Sequence, residues 1–233
     1  MAHGNDALSA EIRRRATALA ATALRHVQDS ATGRVRVEDY LAVAASMTGE
    51  AALIASGVID VESSEIAPGS AVFGDPINTV LSGDVSDPTA APPRSVIGVL
   101  VAELVPEVLP LEAFGSLVDL YRGVAAGVGS TPWGAVALSV PDVHRQTVLP
   151  LQVAFELRST VDDACAALGL PASERHVPCT VALADALRQV REAIDPRLAL
   201  RLSLEIVFGT AKMMPMSQRA FAAAGQGQTE ETR

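Results

Sequence analysis

The sequence predicts a mainly α fold, a multi-helix globular bundle of about seven helices with a small β or irregular insertion near residues 58–75. Three observations predict it. Apolar residues recur at helical spacing through most of the chain, and proline and glycine fall where helices would start and stop. Two segments, 37–56 and 196–213, are nearly uniformly apolar, as central buried helices are. A competing α+β assignment places strands at 96–101, 134–140, 151–158 and 197–208, where alternation can also be read.

Residues 8–28 form the first predicted helix. Leu8, Ile12, Leu19, Ala23 and Val27 share a face, while Arg14, Arg25 and Gln28 fall elsewhere. Its many alanines suit close helix–helix contact, and Ser30-Ala31-Thr32-Gly33 ends it. The second helix, 37–56, opens on Glu38 and Asp39, which favour the positive end of a helix dipole. Between Leu41 and Ile54 its only charge is Glu50.

Past Gly57, the β-branched stretches Val58–Val61 and Ala71–Phe73 flank turn material at Ala67–Ser70, predicting a small hairpin or irregular crossing. Asp75-Pro76 reads as an N-cap followed by proline at the first helical position, opening a short helix that ends at Gly83. Residues 84–94 have the composition of a flexible surface loop. They divide an N-terminal helical region, 1–83, from a C-terminal helical region, 95–224, packed on it as one domain. Residues 225–233 read as a disordered tail.

Residues 96–105 are apolar without a decisive period. Residues 111–126 follow helical spacing through Leu111, Phe114, Leu117, Val118, Tyr121, Val124 and Ala125. Gly123 to Val140 carries no charge over 18 residues, but its glycines and Pro132 fit a buried or folded loop and not a membrane span. At 150–169, Gln152, Glu156, Ser159 and Asp163 make one polar stripe, and Pro150 suits a helix start, so helix prevails over strand. Residues 180–194 read as helix. So do 196–213, where Asp195-Pro196 is again a cap plus proline.

Composition narrows the function classes. Eighteen basic against 27 acidic side chains give a net charge of −9, the wrong sign for tracking phosphates, and aromatics make up only 3%. No nucleic-acid partner is expected. Arg13-Arg14-Arg15 followed by an alanine-rich stretch fits an amphipathic helix better than a secretory leader. Cys165 and Cys179, fourteen residues apart, lack the doublet spacing of a zinc site and read as reduced thiols of a cytoplasmic protein. No membrane partner and no metal are expected.

Motifs for chemistry are sparse. No Gly-x-Ser-x-Gly elbow occurs. Gly123–Thr131 imitates a phosphate loop without its lysine, the sole lysine being Lys212, and no dinucleotide fingerprint or Glu-x-x-His pair is present, so no cofactor is expected. Arg197, Arg201 and Glu205 line up four apart, which reads as a solvated or interfacial stripe over the alternative of an anion site. His144 and His176 fall in predicted loops.

Two function classes remain. Forty-five charged groups over the roughly 10,000 Å² surface of a monomer of this mass is thin cover, which predicts a non-catalytic helical protein that self-associates, as a homodimer, or docks on a partner. The alternative is a binder of a small apolar ligand, or an enzyme, with an apolar pocket rimmed by the 73–78 turn and the 133–145 loop. Its candidate residues are Asp75, Asn78, Trp133, His144 and Arg145.

Overall fold

Two helices whose charges gather toward their N-terminal ends lie at the centre of the molecule. The computed structural model describes residues 2–83, 86–105 and 107–221, with side chains from Ser9 onward. These residues form eight α-helices: α1 Ala2–Val27, α2 Val37–Ala55, α3 Asp75–Leu81, α4 Val96–Leu104, α5 Leu117–Gly127, α6 Pro150–Leu168, α7 His176–Val190 and α8 Pro196–Thr210. The mainly α prediction holds. Among the described residues the only β feature is one isolated antiparallel bridge, Ala71 to Met213.

Every residue of α2 from Asp39 to Leu53 is buried, and so is α8 from Leu202 onward. Between Tyr40 and Ala55 the only charge of α2 is Glu50, and from Leu202 to Thr210 the only charge of α8 is Glu205, so neither stretch could leave a face in water without exposing a wide apolar stripe. α2 packs on α8, α7, α6 and α1; α5 and α4 cover the outer sides of α8 and α7. The seam between α2 and α8 closes on Gly49, where an added Cβ would lie 2.5 Å from the Val207 carbonyl oxygen and closer still to the Thr210 hydroxyl. Two hydroxyls inside the bundle are satisfied locally: Ser46 Oγ and Thr48 Oγ1 donate to the carbonyls of Ala42 and Ala44 one turn back.

Several local expectations change. The 58–75 insertion is irregular, and its extended piece pairs with residues 212–214 instead of folding onto 58–61. Asp75 is not a cap: Gly74 takes the N-cap position and Asp75 begins α3 without a side-chain capping bond. Residues 96–104 are helix because the Ser95 hydroxyl caps the first turn, accepting from Gly98 N at 3.1 Å. The helix expected over 111–126 is broken. Leu111–Phe114 is one 3-10 turn, Gly115 takes φ +61°, and Ser116 caps a new start at Leu117. The uncharged stretch from Gly123 is helical as far as Gly127 and irregular beyond. Asp195 does cap α8, accepting from Arg197 N and Leu198 N, with Pro196 directly behind it.

Among the described part of the 84–94 loop, Pro88–Ala90 form a 3-10 turn capped by Asp87, and Pro92 packs against Gly83 and Gly98. The tail expected at 225–233 lies outside the described residues. No helix among the described residues is long and apolar enough to cross a membrane.

Candidate functional site

The C-terminal end of α8 gathers most of the chain's unusual features. Beyond Thr210 the backbone extends and pairs with the 69–72 segment. Gly69 N donates to Met214 O (2.7 Å), Met214 N to Ser70 O (2.8 Å), and Val72 N to Lys212 O (2.8 Å). Gly69 has φ +82°, and the Trp133 indole lies 3.0 Å from where its Cβ would be. Only glycine combines that backbone with that ring.

Lys212, the only lysine, is buried here. Its ammonium donates to Asn78 Oδ1 at 2.9 Å and sits 4.6 Å above the Tyr121 ring and 5.8 Å above that of Phe73. The Tyr121 hydroxyl is 2.8 Å from Ser82 Oγ. Aromatic faces and an amide oxygen thus replace part of the water a buried ammonium loses.

Residues 215–221 then run back across the bundle, held by Arg158. Its guanidinium donates to Glu50 Oε1 at 2.6 Å, Glu62 Oε1 at 3.0 Å and the Met216 carbonyl at 2.6 Å. Glu62 also accepts from Gln218 N at 3.0 Å. The Phe221 ring packs 5.0 Å from Phe155, whose face also carries Arg158. Burial pushes the Glu50 carboxyl above its ordinary range, against the pull of Arg158. Its Oε2 has no hydrogen-bond partner among the described residues.

Between residues 64–68 and 214–220 lies a groove of about 360 Å³. Ile66, Pro68, Met214 and Pro215 give it apolar walls; Glu65 stands on one rim and Arg219 on the other. A separate hollow of about 160 Å³ is bounded by Leu120, Ser139, Arg201 and Glu205. There Glu205 is buried, accepting from Ser139 N at 2.8 Å and Arg201 Nε at 2.5 Å, so of the expected solvated or interfacial stripe Arg197 is exposed and Glu205 lies inside.

The structure divides the five candidate residues. Asn78 binds Lys212 and Trp133 covers Gly69, both beside the 69–72/212–214 pairing. Asp75 is exposed at the start of α3. His144 Nδ1 is 3.0 Å from Glu38 Oε1 in the first turn of α2, and Arg145 pairs with Asp142 at 3.1 Å. The 73–78 turn instead approaches Val58, just past the far end of α2. Nineteen helical residues separate these ends by about 28 Å, so the 73–78 turn and His144-Arg145 do not rim one pocket. His176 is not in a loop: it opens α7, buried, with Nε2 2.7 Å from the Arg94 carbonyl, and burial holds its pKa low.

Sequence reasoning missed Arg158 with its junction to Glu62, and Lys212 as the partner of Asn78. One signal was available, a lone lysine directly after an apolar run in a chain that otherwise uses arginine. Among the described residues no group of three His, Cys, Asp or Glu side chains stands close enough to hold a metal ion. Comparison of the chain with family models, with curated proteins and with solved structures finds no match.

Proposed function

We propose that the protein works without chemistry of its own, by associating with another macromolecule through the end of the bundle where residues 64–73 meet 212–221. One observation carries this. Of the seven large apolar side chains exposed among the described residues, Ile66, Phe73, Trp133 and Phe221 border this pairing, each between 37% and 56% exposed. At about 200 Å² per large side chain, their exposed fractions amount to roughly 400 Å² of apolar surface, the size of patch that on monomers is often functional. The anchoring supports the reading, because Arg158 and the backbone pairing hold the segment in shape before any partner arrives. Two unbridged, buried thiols fit a reducing compartment such as the cytoplasm.

The test is hydrogen exchange as a function of protein concentration. Amides of 64–73 and 215–221 are expected to gain protection as concentration rises from 1 to 100 µM, a range that brackets about −6 to −8 kcal/mol of association. Unchanged exchange there, with no added partner slowing it either, contradicts the proposal. A second reading rests on the groove itself, whose volume of about 360 Å³ falls within the range of small-ligand sites. In that case a metabolite set would raise the melting temperature of wild type and not of Ile66→Glu.

A further inference from the structure

We infer that the molecule covering this face is a second copy of the same chain, docked about a two-fold axis running along the groove. The inference rests on the contact reading above and adds the partner and its register. The groove has two walls of opposite charge. Residues 64–68 carry Glu65 and residues 214–220 carry Arg219; both are exposed, and neither makes an ion pair among the described residues. A two-fold axis along the groove lays each wall on the partner's opposite wall. Each Arg219 then faces the other copy's Glu65, and Ile66 meets Ala220, the part-exposed apolar residue of the opposite wall. Isologous interfaces require this self-complementarity, in which each contact occurs twice. An unlike partner would have to supply its own matching acid and base at the same spacing; a second copy carries them already.

The area agrees. Of the four exposed apolar side chains only Ile66 lines the groove; taken with Phe73, Trp133 and Phe221 beside it, their roughly 400 Å² of apolar surface, at the usual 56–58% non-polar share, would fill an interface of about 700 Å² per subunit. Stable pairs typically bury about 800 Å² per subunit.

The experiment is a charge swap read by sedimentation equilibrium on the full chain. Arg219→Glu and Glu65→Arg each create two like-charge contacts per dimer, and each is expected to raise the dimer dissociation constant about tenfold or more. The double variant, and an equimolar mixture of the two single variants, are expected to return to within about threefold of wild type, because opposite charges again meet. Circular dichroism checks that all variants fold, as exposed substitutions should. If the double variant and the mixture are as weak as the single variants, or if no variant shifts the equilibrium while Phe73→Ser/Phe221→Ser abolishes it, the two-fold register is wrong and the contact surface stands. A wild-type chain that stays at 24.2 kDa up to about 100 µM overturns the self-partner. The contact reading would then stand or fall on whether an added partner slows exchange at 64–73 and 215–221, the arm of the exchange experiment that does not depend on self-association.

Discussion

Replacing Gly49 by alanine should damage the protein although alanine is the better helix former. Propensity alone favours the change by about 1 kcal/mol. The new methyl would stand 2.5 Å from the Val207 carbonyl oxygen, and backbone cannot rotate out of the way. Thr210 is pinned as well, its hydroxyl donating to Ile206 O at 2.7 Å. Relief requires α2 and α8 to part by about 1 Å along the most buried seam of the molecule, opening contacts on both sides. Overpacking of this kind costs about 1–3 kcal/mol or more, and here the obstacle is main chain, so the net loss should be about 2 kcal/mol. For a chain of this length that lowers the melting temperature by about 4–8 °C. Gly123 in α5 is the control: a Cβ there meets nothing within 4 Å, so Gly123→Ala should gain about 0.5–1 kcal/mol. Urea unfolding of the two variants beside wild type decides the matter. A Gly49→Ala protein as stable as wild type would mean that α2 and α8 do not meet at this residue.

Other outcomes follow from the same contacts. Arg158→Ala leaves Glu50 buried without its partner and should cost about 3–5 kcal/mol, while Glu50→Gln/Arg158→Met should recover most of it; equal losses in both would refute the ion-pair account. Glu103 is partly buried, which pushes its pKa up, but the hydrogen bonds from Arg188 and Arg13 outweigh this and hold it below its ordinary 4.5. The folded carboxylate therefore binds its proton less readily than the unfolded one. Its stabilisation is present above about pH 4.5 and fades as pH falls through the folded value. Glu103→Gln should thus lose stability at pH 7 and show a shallower decline in acid, measured as urea midpoint against pH. Cys179 is fully buried and Cys165 nearly so, and burial raises both thiols, so a thiol reagent should label neither in the native protein and both in urea. Rapid native labelling of Cys179 would show that α7 opens far more readily than its packing implies.

What was legible in the sequence was what periodicity and helix punctuation encode. The two central helices could be read because a segment such as Leu41–Ile54, with Glu50 its one charge, has nowhere to be except inside. Asp195-Pro196 could be read because cap and proline agree with the apolar period that follows. The break at Gly115-Ser116 was hidden, since the apolar residues on either side keep the rhythm of one helix and only the backbone at Gly115 interrupts it. Asp75 was misjudged for a related reason: the capping position fell one residue earlier, on a glycine whose backbone takes the place without any side-chain bond. The site was the least legible part. Asn78 and Lys212 are 134 positions apart, and Arg158 is 96 from Glu62. Such pairs meet only because the bundle returns the end of α8 to the 58–75 crossing, and no local period records that. The pocket expected between the 73–78 turn and His144-Arg145 was separated by the length of α2, a distance set by tertiary arrangement.

The exposed aromatic residues around the end of α8 are the proposed place where this molecule meets another copy of itself. Sedimentation equilibrium of wild type beside Phe73→Ser/Phe221→Ser at matched concentrations tests it most directly. Wild type should move with about twice its chain mass of 24.2 kDa and the variant at that mass, both with the same helical circular dichroism. Equal masses for the two proteins, whether both single or both paired, would contradict it.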